Sequence, residues 1–268
     1  MARIELFLDK TLEQNAGIYF DKSKKLKKKA EGAKKALAIY ETKLEQLEKK
    51  KAKEKEEYEQ AVKEEVEVKK EWFEKFRWFL SSEGFLVIGG RDATTNEIVI
   101  KKQTEKNDIV FHTDIAGSPF FVIKTEGKKV GEATMKEVAD ATVTFSRVFQ
   151  LGQISSPVFW VNPDQVSKEA QSGEYLTKGA FMIRGKTNYI DNKINLAVGR
   201  IDSGKEKGKL MAAPLESVKK YCKGYIVLTQ GDKKSSEIAK KIKAKLKGSL
   251  DDIIRILPSG GMDIKKER

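Results

Sequence analysis

The sequence has one cysteine, one histidine and five prolines in 268 residues. A lone thiol, Cys222, excludes an internal disulfide and suits a reducing compartment. His112, the only histidine, has no second imidazole and only one thiol with which to share a metal, so no zinc cluster is expected. No apolar run approaches the roughly 18 residues that would cross a bilayer, and the start, MARIELFLD, is too short and too acidic for a secretory signal. These absences predict a cytoplasmic protein with no membrane association and no cofactor.

Charge is abundant. Charged residues make up 35% of the chain against 39% hydrophobic, with a net charge of +13. Residues 1–80 hold 21 basic and 17 acidic residues, 81–161 hold 9 and 10, and 162–268 hold 23 and 13. A field of this sign favours polyanions through counterion release and steering, and it would equally attract an acidic protein surface or anionic lipid.

Residues 3–8, RIELFL, read as a short strand or extended lead-in, with Asp9 or Thr11 as the cap of a helix starting there. From that point to Leu80 there is no proline and the only glycines are Gly17 and Gly32. Leu26, Ala30, Ala33, Leu37, Tyr40, Leu44 and Leu47 recur at helical spacing, and a second stripe runs Tyr58, Val62, Val66, Phe73, Phe76 and Leu80. Residues 48–57, EKKKAKEKEE, offer no face to bury. That break predicts the tip of an antiparallel coiled-coil hairpin projecting roughly 35 Å, with one continuous helix as the alternative. Trp72, Phe73, Phe76, Trp78 and Phe79 then read as its base, rooted in a core.

Beyond Gly84, short apolar runs predict strands at 85–88, 97–101, 109–113, 119–124, 157–161, 180–184, 194–201, 208–213 and 224–230. Helices are expected over 134–150, with Thr134 as cap, and over 235–247; 253–257 reads as a closing strand. The predicted fold is α+β: a helical hairpin over 1–80, then a mixed α/β globular domain over 81–268.

Three segments bear on function. Gly89-Gly90-Arg91-Asp92-Ala93 admits a structural turn with an internal Arg–Asp pair or a phosphate-contacting Arg91; it lacks the spacing of a nucleotide-binding glycine loop. His112 and Asp114, two apart on a strand, admit structural hydrogen bonding, RNA contact, or acid–base work in a nuclease or phosphotransferase with Arg91 and Asp92. Residues 163–189 interleave Gln165, Ser167, Lys168, Arg184, Lys186 and Asn188 with Tyr175, Phe181 and Tyr189, the mixture of cations and flat rings that unpaired RNA requires, or a polar loop between core aromatics. Among the basic runs, 22–29 contains no acid, which singles out Lys24, Lys25 and Lys28; the lysines of 240–247 lie opposite Ile238, Ile242 and Leu246.

WFEKFRWFLSSEGFLVIGGRDATTNEIVIKK (72–102), FHTDIAGSP (111–119), FWVNPDQVSK (159–168) and GEYLTKGAFMIRGKTNY (173–189) resemble the NFACT-R domain of NEMF-type ribosome quality-control factors. Residues 4–37 resemble the start of the middle coiled coil of archaeal members. The resemblance implies a non-catalytic RNA-binding module that binds the large ribosomal subunit carrying stalled peptidyl-tRNA, rRNA or tRNA, with the coiled coil as a ribosome-contacting arm. It departs at Thr113 and Thr187. The family's NFACT-N domain and helix-hairpin-helix region would precede Met1, so the resemblance admits either a separate NFACT-N-containing chain as partner or a stand-alone binding module, and pairing of the arms admits a homodimer. The RNA-binding residues expected are Arg91, Asp92, His112, Gln165, Lys168, Tyr175, Arg184, Lys186, Asn188, Lys24, Lys25 and Lys28. A protein-only coiled-coil adaptor is the remaining alternative.

Overall fold

A computed structural model describes residues 4–64, 71–169 and 176–265. The chain divides into two units, residues 1–69 and 70–268.

The first unit is a single helix, α1 (Leu12–Glu64). Thr11 starts it: its Oγ1 accepts from the Gln14 backbone N–H at 3.3 Å, while Gln14 Oε1 accepts from the Thr11 N–H at 3.0 Å, a reciprocal capping box. Asn15 is buried although its neighbours are exposed. It accepts from the Phe7 N–H and donates to the carbonyls of Phe7, Lys10 and Thr11, folding the lead-in back onto the first turn. Of the two readings of 3–8, the described residues 4–8 follow the lead-in and form no strand, with both backbone groups of Phe7 bonded to Asn15. The hairpin tip expected over 48–57 is helix throughout, as the continuous alternative had it. Lys, Glu and Ala are strong helix formers, and a segment without a buried face remains helical where nothing breaks it. Leu26, Leu37, Tyr40, Leu44 and Leu47 line up along α1 and are exposed.

The second arm of the expected hairpin fails at its far end. Val66 lies outside the described residues, a 3₁₀ turn occupies Trp72–Lys75, and β1 (Arg77–Leu80) is a strand. Phe73, Phe76, Trp78 and Phe79 are core residues, as their clustering suggested, but of the second unit; Trp72 is 44% exposed.

β1 turns at Ser81–Phe85 into β2 (Leu86–Gly89) and opens a six-stranded antiparallel sheet. β2 pairs with β4 (Phe121–Lys124), β4 with β3 (Ile109–Thr113), β3 with β5 (Val158–Val161), and β5 with β8 (Asn188–Ile190). Between β2 and β3 the segment 97–101, expected as a strand, coils instead. Asp92 caps α2 (Ala93–Ile98) by accepting from the Thr95 N–H at 2.8 Å, and the turn continues as a π-helix over Val99–Gln103 that buries Val99. The cap decides the local structure against β-branched propensity.

One long helix was expected over 134–150. α3 (Glu132–Thr144) packs on β3, β4 and β5 and stops at Phe145, and Ser146 caps the short α4 (Arg147–Gln150) by accepting from Val148. Gly131, not Thr134, is the N-cap of α3. Thr134 is buried beside Glu83 and Ser81, with its hydroxyl 2.5 Å from Glu83 Oε2 and 3.0 Å from Ser81 Oγ.

A two-stranded ribbon, β6 (Val166–Ser167) and β7 (Met182–Ile183), precedes β8. The second sheet runs β10 (Leu210–Ala213), β9 (Leu196–Arg200), β11 (Tyr225–Lys233), β12 (Met262–Ile264). α5 (Leu215–Tyr221) follows β10, and α6 (Ser235–Leu246) buries Ile238, Ile242 and Leu246 while its lysines face solvent. The segment 253–257, expected as a strand, lies largely in helix α7 (Leu250–Ile256). Ser249 caps that helix through the Asp252 N–H, and Asp251 and Asp252 in its first turn oppose the helix dipole favourably. The sheet edge is taken by β12. One apolar core joins both sheets, with β1 against β10.

Candidate nucleic-acid interface

The glycines of the 89–93 turn are there for close approach. A Cβ at Gly90 would lie 1.8 Å from Asn96 Oδ1, which accepts from the Phe120 N–H at 3.1 Å. Asn96 thereby ties the turn to the β3–β4 loop. A third segment, 177–181, closes in on the same place: Gly179, at φ +81°, packs so tightly on Ala93 that a Cβ would sit 2.6 Å from its Cα. Lys168 holds that segment. Its ammonium donates to the carbonyls of Thr177 (2.8 Å) and Ala180 (2.9 Å), pairs with Glu97 at 2.8 Å, and lies 5.1 Å from the Phe181 ring centre.

These three segments and the α3–α4 junction wall an open cleft of about 530 Å³. Arg77, Arg91, Arg147 and Lys178 bring positive charge to it; His112, Phe120, Phe145 and Phe181 bring rings. Arg91 Nη2 donates to the carbonyls of Phe76 (2.7 Å) and Glu74 (3.2 Å), whereas its Nε and Nη1 are buried without a partner. Arg77 donates to the Leu257 carbonyl at 3.2 Å and lies 4.5 Å from the centre of the Phe145 ring.

Both guanidinium pKa values are lowered to about 10. Burial is the larger cause for each; repulsion from Arg91 adds to it at Arg77, and repulsion from Arg255 adds to it at Arg91, where Asp92 and Asp252 partly offset it. Among the described residues neither arginine forms an ion pair.

His112 stacks on Phe120, with ring centres 4.1 Å apart and planes 29° from parallel. Burial lowers its pKa to about 4, against the opposing effects of hydrogen bonding to the Thr113 and Ser118 backbone and of the Asp114 charge. The ring is thus neutral at physiological pH. Asp114 does not orient it, being turned toward the Tyr189 hydroxyl at 3.3 Å.

The residues expected to bind RNA separate into groups. Arg91, Asp92 and His112 come together on the cleft, although Asp92 serves as the α2 cap, a role that keeps its pKa below the ordinary carboxylate value through the hydrogen bond from Thr95. The internal Arg91–Asp92 pair is not formed. Lys168 is a brace rather than a free cation, because its ammonium is fully occupied. Gln165 is also a brace: Nε2 donates to the Arg184 and Lys186 carbonyls at 2.9 Å, and Oε1 accepts from the Asn162 N–H. Arg184 and Lys186 are exposed on that loop, Arg184 within 3.4 Å of Glu169. Asn188 sits in β8, donating to the Trp160 carbonyl at 3.4 Å. Lys24, Lys25 and Lys28 are exposed on α1, in the other unit. Tyr175 lies outside the described residues.

Sequence reasoning missed Arg77, Ser118, Arg147 and Lys178. Arg77 was hidden in a segment read as helix, and Arg147 in a helix read as unbroken; the Ser146-Arg147 pair after an apolar stretch was a cap signal that could have revealed it.

Residues 75–185 match the family model described as the NFACT protein RNA binding domain. The archaeal Rqc2 homolog aRqcH of Methanocaldococcus jannaschii is 46% identical over 200 residues, 73% of this chain and 30% of that protein. The ribosome quality control complex subunit NEMF of Homo sapiens is 39% identical over 181 residues, 66% of this chain and 16% of that protein. Ribosome quality control complex subunit 2 of Schizosaccharomyces pombe is 38% identical over 120 residues, 44% and 12% respectively. The chain spans less than a third of each of these relatives.

Proposed function

We propose, from the premise that this chain carries an NFACT-R domain over residues 75–185, that it is a non-catalytic RNA-binding component of ribosome-associated quality control. On this reading it engages the large ribosomal subunit with its stalled peptidyl-tRNA, through rRNA or tRNA. Residues 70–268 act as the RNA-binding module, since Arg77 and β1 belong to it. Helix α1 supplies the ribosome-contacting arm, with Lys24, Lys25 and Lys28 exposed on it.

The observation that carries the proposal is the cationic cleft inside the matched segment, where Arg91 keeps buried N–H donors without acceptors. Such donors are costly unless an acceptor reaches them, and a phosphate oxygen is the acceptor best suited to a guanidinium. The exposed Arg184, Lys186 and Lys178 extend the positive surface. The hydrolytic alternative has less support: His112 is stacked, poorly basic and not oriented by Asp114.

The test is co-sedimentation with purified large subunits at increasing salt, followed by cross-linking and sequencing of the attached RNA. Retention at low salt that declines as salt rises, with reads from rRNA or tRNA, is expected. Salt-independent retention, or retention that survives nuclease treatment without protected RNA, would favour a protein adaptor.

A further inference from the structure

The cleft has more structure than a phosphate contact needs. Two of the residues that line it hold buried polar atoms without partners: Arg91, at Nε and Nη1, and Ser118, at Oγ. Each satisfied polar atom nearby shows what the fold does when it can, as with Asn96, which bonds both Phe120 and Ser118 backbone groups. Positive charge concentrates at the same place without an ion-paired carboxylate among the described residues. Burying a guanidinium in this way is unfavourable unless an anion accompanies it.

The other walls are aromatic. Phe120 packs its ring against His112 on one side and meets Phe181 edge-on at 5.4 Å on the other; Phe145 lies under Arg77. With His112 neutral, that side of the cleft has no charge of its own. A volume of about 530 Å³ lies in the range that admits a small organic molecule and is ample for more than an inorganic ion. The site therefore fits a ligand with a negative end and a flat, weakly polar body.

We infer that this cleft holds one unpaired nucleotide of an RNA strand, its phosphate among Arg91, Arg147 and Lys178 and its base against the half-buried ring of Phe181, which the buried Phe120 backs edge-on. The inference rests on the RNA-binding reading above and narrows it. A duplex keeps its bases stacked and paired and presents only its backbone, so a slot of this kind selects single strands, loops or extruded nucleotides.

The test compares a fluorescein-labelled RNA hexamer with a hairpin whose stem is fully paired, both titrated with the full chain, wild type and Phe181→Leu. Loss of one stacking partner is expected to weaken hexamer binding about 5- to 50-fold and to change stem binding by less than twofold. Lys128→Gln, at an exposed pair with Glu126, serves as the control. If Phe181→Leu does not fold, 4-thiouridine hexamers irradiated with the unaltered chain decide the matter: cross-links within 112–120 or 177–183 support the slot, and cross-links confined to α1 or α6 overturn it. Equal losses on hexamer and stem, or no loss on either, overturn the slot while leaving RNA binding intact. Failure to bind either RNA overturns both.

Discussion

His112 shows how burial converts a titratable residue into a neutral one and thereby couples stability to pH. Its folded pKa, about 4, lies below the 6.5 of an unfolded histidine, so between these values the unfolded chain binds the extra proton and stability rises with pH. Protein unfolded at pH 7 and at pH 4.5 should differ on this account by about 2–3 kcal/mol, lost as pH falls from 6.5 toward 4. His112→Gln should flatten that part of the profile in urea titrations. The same neutrality predicts that RNA affinity does not strengthen through His112 between pH 8 and 5.5; a strengthening that His112→Gln abolishes would make it a phosphate contact. A second buried group is Asp108, at 1% side-chain exposure, which pairs with Lys124 at 2.5 Å and accepts from the Thr125 and Glu105 N–H groups. Lys124→Met leaves that buried carboxylate with its two backbone donors but no cation, and a loss of about 3 kcal/mol is expected by denaturant unfolding.

At the scale of elements, caps and close contacts decide more than propensity does. Thr11 and Gln14 begin α1 and Asn15 anchors the lead-in, so Asn15→Ala should leave α1 helical but speed amide exchange at Phe7, whose N–H would lose its acceptor. The sequence showed such features unevenly. Strands β2, β3, β4, β5, β9, β10 and β11 were legible as apolar runs between turns, and helix α6 as a period-3.6 stripe. The coil over 97–101 was not, because β-branched Ile98, Val99 and Ile100 fit a strand and only the Asp92 cap argues otherwise. Residues 72–80 misled for the opposite reason: their aromatics satisfy helical spacing, yet pairing of β1 with β2 through Trp78 and Ile88 outweighs it. Of the site, Arg91 and His112 could be chosen from sequence, since a glycine pair and a lone histidine stand out locally. Arg77, Arg147 and Lys178 could not, because what unites them is the convergence of β1, the start of α4 and the 177–181 segment, far apart in the chain. Gly90→Ala tests that convergence: the added methyl meets Asn96 Oδ1, and a cooperative loss of stability with weakened RNA binding is expected.

For the whole molecule, net charge and its placement set the form of RNA binding. The chain carries +13, with positive groups on the cleft, on the Arg184–Lys186 loop and along α1. Counterion release makes the salt slope a count of phosphates engaged, about 0.7 per contact on a single strand. A short hexamer reaching only the cleft and its rim should therefore give a shallow slope, insensitive to changes on α1. A long RNA or a ribosomal subunit that also touches the helix should give a steeper one. Replacing Lys24, Lys25 and Lys28 together by Gln separates these cases. On a large subunit the slope should fall by roughly 2 to 3 units if all three reach phosphates, while hexamer affinity stays within twofold. An unchanged slope on the subunit would assign the RNA contacts to the second unit alone, leaving the exposed stripe of Leu26, Leu37, Leu44 and Leu47 as the helix's means of engaging anything at all.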